Sequence, residues 1–169
     1  MILVDINQIL LAHILFQSKT NKDFDENLIR RLILSSLTKC KNKFHHYGKI
    51  IICSDSRNYW RKKVFPYYKS TRKKEREDSN LDWESIYTLC HKLKGEIESN
   101  LPFQFLQVDG AEADDIIAVI TELKNKEERI LIYSADKDFA QLQIYPSVYQ
   151  YNPIQNEFIV QKDPIRFLK

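Results

Sequence analysis

Four short apolar runs in this chain each end in carboxylates, and this repeated unit dictates the fold. Ile2-Leu3-Val4 ends in Asp5, and Ile50-Ile51-Ile52-Cys53-Ser54 ends in Asp55. Residues 103–108 lead into Asp109-Gly110-Ala111-Glu112-Ala113-Asp114-Asp115, and residues 129–133 into Ser134-Ala135-Asp136-Lys137-Asp138. Short apolar runs bounded by such turns read as buried strands. Segments of helical spacing separate them, so the chain is α/β with a mostly parallel sheet. The strands of such a sheet share one C-terminal edge, where ligands bind, and the acids converge on it.

The third unit is the most crowded. Ile116, Ile117, Val119, Ile120 and Leu123 recur at helical spacing after it, so Glu112, Asp114 and Asp115 fall at the turn and in the first turn of a helix. A helix N-terminus favours an acid by roughly 0.3–1 kcal/mol, but three exceed that need. Like charges so close repel unless a cation sits among them. One acid at a strand end is ordinarily a solvated loop residue. A convergent set selects a hard divalent cation, which takes oxygen ligands.

Between the strands the chain reads simply. Residues 7–16 form a helix with Ile9, Leu10, His13 and Ile14 on one face, His13 being packed rather than a ligand. Residues 19–25 are a polar connection. Asp25 or Asn27 caps a long helix through Leu28, Leu32, Leu34, Leu37 and Cys40. His45 and His46 are surface residues, since adjacent residues on a helix do not share a face. Asn80 or Asp82 caps a helix through Trp83, Ile86, Tyr87, Leu89, Cys90, Leu93 and Ile97. A short helix over 138–142 and two short strands, 148–151 and 157–160, follow. Cys40, Cys53 and Cys90 form no C-x-x-C pair and read as reduced core residues of a cytoplasmic protein, without zinc or disulfide. No apolar run reaches the ~20 residues of a membrane span, and the start lacks a signal-peptide pattern.

Charge is distributed unevenly. The net charge is only +3, yet residues 57–76 carry Arg57, Arg61, Lys62, Lys63, Lys69, Arg72, Lys73, Lys74 and Arg76 against Glu75 alone. Tyr59, Trp60, Phe65, Tyr67 and Tyr68 are interleaved with them. Residues 57–78 are too polar for a core helix and too long for a simple loop. They form either a solvated, partly mobile insertion or, with cations that follow phosphates and aromatics that stack on bases, a clamp over single-stranded nucleic acid. A basic block beside an acidic edge suits a phosphate-rich substrate held by one and cut at the other. No Ser-His-Asp arrangement or nucleophilic Cys signature points to a covalent route.

The stretches Leu3-Val4-Asp5, Cys53-Ser54-Asp55, Tyr59-Trp60-Arg61, Tyr67-Tyr68-Lys69-Ser70-Thr71-Arg72, Glu112-Ala113-Asp114-Asp115 and Ser134-Ala135-Asp136-Lys137-Asp138 resemble the structure-specific 5′-nucleases, that is, the flap endonucleases and 5′–3′ exonucleases. The likeness is greatest to the phage-type ribonuclease H branch, which removes RNA primers during DNA replication. The resemblance implies a PIN-like three-layer fold, with a basic helical arch over residues 57–78. It implies Mg²⁺, two ions with Mn²⁺ as a substitute, held by Asp5, Asp55, Glu112, Asp114 and Asp136 at a first site. Asp138, with Asp114 or Asp136, would serve a second, and Asp115 would ligate, cap or support. Lys69 and Arg72 would act catalytically beside Asp114 and Asp136 at the foot of the arch. Arg61, Lys62, Lys63, Tyr68, Lys73, Lys74 and Arg76 would meet the nucleic acid, a 5′ flap or single-strand end on a DNA or RNA–DNA duplex.

The same resemblance frames residues 1–162 as the catalytic domain and 163–169 as the start of a further helix. The family's helix–three-turn–helix domain, with its additional Asp for the second metal, has no counterpart in the sequence. A split nuclease completed by a second polypeptide, with contacts to replication proteins, is one alternative. A PIN-like endoribonuclease is another, and a phospho-accepting receiver domain built on Asp55 is a third. The basic insertion argues against the last two.

Overall fold

Residues 1–20 and 25–167 are described by the computed structural model. Strand β1 (Ile2–Asp5) is buried at every position and pairs in parallel with β2 (Ile50–Ser54) on one side and β4 (Ile130–Tyr133) on the other. Beyond β2 lies β3 (Gln104–Gln107), and beyond β4 lie β5 (Val148–Asn152) and the antiparallel β6 (Glu157–Ile159). The strand order is β3-β2-β1-β4-β5-β6. The chain thus builds outward from β1 to β3, then returns to the far side of β1. That reversal places the topological switch point between β1 and β4, where open parallel sheets bind ligands.

Two helical layers cover the sheet. Ile2 and Val4 face the core made with α1 (Ile6–Thr20), α2 (Glu26–Phe44) and α5 (Trp83–Asn100). Met1 and Leu3 face the opposite core, with α6 (Ala113–Lys124) and the 3₁₀ helix Lys137–Ile144. This is the expected α/β three-layer arrangement.

Asp25 caps α2, accepting from the Leu28 N–H at 3.0 Å, and Asp82 caps α5 through Ser85 N–H at 3.1 Å. Asn27 and Asn80 do neither. The buried stripe of α2 is Ile29, Ile33, Leu37, Cys40 and Phe44 rather than the Leu28–Leu32 face, and Leu34 is exposed. Strand β3 is not buried as expected. It is the sheet's edge, so only β2 neighbours it and its end residues face solvent. The short helix over 138–142 is the longer 3₁₀ helix Lys137–Ile144. His13 is half-buried, while His45 and His46 are exposed. The three cysteines are buried and free, and burial raises the Cys40 and Cys53 thiols to about 12. Among the described residues, no helix is long and apolar enough to cross a membrane.

The basic insertion is ordered into α3 (Trp60–Val64) and α4 (Ser70–Glu77). It is stitched to the loop before α6. Ser56 N–H donates to Ala111 O at 2.9 Å and Trp60 N–H to Gly110 O at 2.8 Å. Gly110 has φ 79°, a conformation glycine adopts without a Cβ penalty.

Candidate active site

Four carboxylates from four segments line one basin at the C-terminal edge of the sheet. Asp5 ends β1, and Asp55 directly follows β2. Asp114 lies in the first turn of α6, and Asp136 caps the 3₁₀ helix after β4. Asn7, Gln8, Lys69 and Arg72 complete a cavity of about 320 Å³. Asp5 is only 6% exposed. It accepts from the Gln8 N–H at 3.3 Å and the Ser134 hydroxyl at 3.2 Å. Asp55 accepts from the Ala113 N–H at 2.7 Å, tying β2 to the start of α6.

The basin strains its own charges. Burial, then the charge of Asp114, raises the Asp5 pKa to about 7. Burial, then Asp136 and Asp55, raises Asp114 to about 6. Such repulsion is relieved by a cation. Among the described residues, no three carboxylate, imidazole or thiol groups are gathered closely enough to hold an ion alone. The four carboxylates supply oxygen donors of the type a hard divalent cation takes.

The other acids are placed differently. Glu112, 1% exposed, accepts from Lys69 Nζ at 2.7 Å, Arg61 Nη1 at 2.8 Å and the Tyr68 hydroxyl at 3.0 Å. Asp115 receives both Arg61 Nη groups at 2.7 and 2.8 Å and Trp60 Nε1 at 3.3 Å. It also accepts from the Glu112 N–H at 3.0 Å, half of a reciprocal capping box. Both therefore face the arch. Asp138 is exposed in the first turn of the 3₁₀ helix.

A larger cavity of about 530 Å³ adjoins the basin. The arch forms one wall, with Tyr59, Lys62, Tyr68, Lys69, Arg72 and Arg76. The opposite wall is α5, with Tyr87, Cys90, His91 and Lys94. Asn7, Leu11, Asp55, Lys69 and Arg72 line both spaces, so the basic cleft opens onto the acids. Lys63 and Lys74 are exposed. The side chain of Lys73 lies outside the described residues.

Sequence reading missed the supports of this edge. Lys94 looks like one more helix-surface lysine, yet it is partly buried near Asp55 and Asp5, and burial lowers its pKa. Two glutamines grip the loop that carries Asp136. Gln8 Oε1 accepts from Ala135 N–H at 2.6 Å, while buried Gln150 donates to the carbonyls of Asp136 and Ser134 at 2.6 and 3.0 Å. Gln150→Leu is expected to strand both carbonyls and destabilise the fold by about 1–3 kcal/mol. A urea titration measures this, and an unchanged midpoint would remove Gln150 from the support of the loop.

Comparison with known proteins agrees with this architecture. Residues 1–166 match the family model of the 5′-3′ exonuclease N-terminal, resolvase-like domain. The chain is 36% identical over 162 residues to ribonuclease H of Enterobacteria phage T4, covering 93% of this chain and 53% of that protein. It is 27% identical over 148 residues to a 5′-3′ exonuclease of Aquifex aeolicus, covering 87% and 48%. It thus spans about half the length of these relatives. In fold it is similar to the phage T5 5′-exonuclease solved with zinc, at TM-score 0.73 and 18% identity, covering 98% of this chain and 59% of that one. The T5 flap endonuclease in a pseudo-enzyme–product complex with DNA and metal ions matches at TM-score 0.72 and 17% identity, with the same coverage. An acid-edged, mostly parallel sheet beneath a basic arch defines the class as a 5′-nuclease fold. The chain belongs to the 5′-3′ exonuclease family, as its N-terminal, resolvase-like domain.

Proposed function

We propose that this chain carries the catalytic centre of a metal-dependent 5′-nuclease. It would hydrolyse phosphodiesters at a 5′ flap, single-strand end or RNA primer on duplex nucleic acid. The carrying observation is the junction of cleft and basin, where Lys69 and Arg72 border both a cleft lined by cations and tyrosines and a basin of four carboxylates. A duplex-gripping segment or a second polypeptide and replication proteins belong to the same proposal.

Asp5, Asp55, Asp114 and Asp136 would hold two Mg²⁺ ions, with Glu112, Asp115 and Asp138 nearby and Mn²⁺ as a substitute. When bound, the ions would supply Lewis-acid activation of water and of the scissile phosphate. The chain's own side chains do the rest. Lys62 and Arg76 attract the single strand along the cleft while Tyr59 and Tyr68 offer ring faces to its bases. Lys69 and Arg72 offset charge that develops on the phosphate, an electrostatic role in a partly desolvated site. Burial alone would lower the Lys69 pKa, but the hydrogen bond and charge of Glu112 outweigh it and keep it raised. Lys69 is therefore cationic wherever the acids are ionised.

Incubation of the purified chain with Mg²⁺ and a 5′-labelled flap, or an RNA–DNA hybrid, is expected to release short 5′ products, and chelation to stop it. No release across a Mg²⁺ titration, with no divalent ion bound by the chain, would overturn the reading, whereas no release with ions still bound points to a catalytic half completed by a second polypeptide. Lys69→Ala is expected to lower the single-turnover rate roughly 100-fold and to change the Kd for the substrate much less. An unchanged single-turnover rate would remove Lys69 from the chemistry.

A further inference from the structure

Resting on that reading, we infer that Arg61 is a positioning residue. It pins the base of the arch to the N-terminus of α6 and acts on turnover through Lys69 and Asp114, without itself holding a phosphate.

The geometry of Arg61 is that of a structural fork. Its two Nη atoms take Asp115 bidentately at 2.7 and 2.8 Å, and Nη1 also reaches Glu112 at 2.8 Å. Its guanidinium carbon lies over the Trp60 ring, 4.8 Å from the centroid, and Trp60 itself donates to Asp115. Bidentate arginine–carboxylate pairs are among the strongest and most directional polar contacts. To meet a phosphate instead, Arg61 would have to break its bidentate pair with Asp115 as well as its bond to buried Glu112, whereas Lys69 already lines the basin while bonded to Glu112. Arg61 is also absent from the lining of the basic cleft, whereas Lys62 lines it.

What the fork holds is the mouth of the site. Glu112 and Asp115 flank Asp114 in the first turn of α6. The second Glu112 oxygen holds Lys69. Lys69 has φ 57° at the start of α4, a left-handed conformation that a non-glycine residue keeps only when its surroundings over-determine it. One node thus ties the start of α6, which carries Asp114, to Lys69, and both side chains line the same basin. The Tyr59–Gly110 bridge beside it makes the join two-sided.

The decisive measurement is the salt dependence of binding to a short single strand, because each phosphate contact contributes about −0.7 to the slope of log K against log salt. Arg61→Gln is expected to lower the single-turnover rate roughly 30-fold or more, in line with other electrostatic positioning losses, with the slope unchanged. Lys62→Ala is expected to reduce the slope by about 0.7. Asp115→Asn keeps an oxygen for the capping bond, so it removes the bidentate ion pair with Arg61 without removing the cap. It is expected to reproduce the rate loss, and the Arg61→Gln/Asp115→Asn double variant to be no slower than either single, as for partners in one node. A slope reduced by Arg61→Gln, or additive losses in the double variant, would overturn the inference. Absence of both cleavage and divalent-ion binding by the wild type would instead sink the proposed function. Amide exchange then decides the positioning role. Equal acceleration across residues 60–77 in both single variants supports it, and unchanged exchange overturns it.

Discussion

Asp114→Asn is expected to abolish Mg²⁺-dependent cleavage, with a loss of about a thousandfold or more, equivalent to ~4 kcal/mol of barrier. Binding to single-stranded nucleic acid should stay the same or tighten. The substitution is nearly isosteric, and the helix cap comes from Glu112 and Asp115, so α6 should start as before. What changes is charge at the most contested point of the basin, where Asp114 faces Asp136 and Asp55 and itself contributes to the raised pKa of Asp5. On the proposed function, removing it would take away a hard oxygen ligand and lower the affinity for a divalent ion. It also removes one unit of repulsion toward an approaching phosphate backbone. Asp136→Asn should behave similarly, since an asparagine oxygen can still accept from the Asp138 N–H, as Asp136 does at 3.0 Å. Single-turnover cleavage and anisotropy titrations on the same substrate separate the two effects. Full activity in Asp114→Asn would place the metal elsewhere.

Strands β1, β2 and β4 were legible because each is an uninterrupted apolar run, the pattern of parallel strands covered on both faces. The same property hid which face each residue takes. Ile2 and Val4 go to one core and Leu3 to the other, with no polar alternation to mark it. Strand β3 was legible only as a strand. Gln104 and Gln107 at its ends are the signal of an edge, and the reading passed over it. The order of the sheet, with β4 returning beside β1, is set by long-range packing that local spacing does not encode.

The arch shows the same limit. Its cations stand out in the sequence, but their partners do not. Lys69 meets Glu112 across 43 positions and Arg61 meets Asp115 across 54. Local pattern could place acids at the start of α6 without telling which would face the basin and which the arch. Gln8 and Gln150 belong to no motif, and their role depends on the path of the loop after β4, which local spacing does not set.

Adding Mg²⁺ is expected to stabilise the fold strongly at pH 8 and weakly at pH 5. The sign follows from the raised carboxyl groups. Asp5 moves from 3.8 to about 7 and Asp114 to about 6, so between about pH 4 and 7 the folded chain binds more protons than the unfolded one. Stability of the metal-free chain therefore falls as pH rises through that window. For Asp5 alone the integrated loss is on the order of 4 kcal/mol. A divalent cation in the basin favours the ionised carboxylates, so it offsets this loss where they are ionised and must displace protons where they are not. For a chain of this size each kcal/mol moves the melting temperature by about 2–4 °C, so a Mg²⁺-dependent rise of several degrees is expected at pH 8 and little at pH 5. Asp5→Asn removes the most buried of these charges. It should raise the metal-free midpoint at pH 8 and shrink the Mg²⁺ response. Equal Mg²⁺ shifts at the two pH values, or an undiminished response in Asp5→Asn, would mean that the ion binds away from the carboxylates at the end of β1.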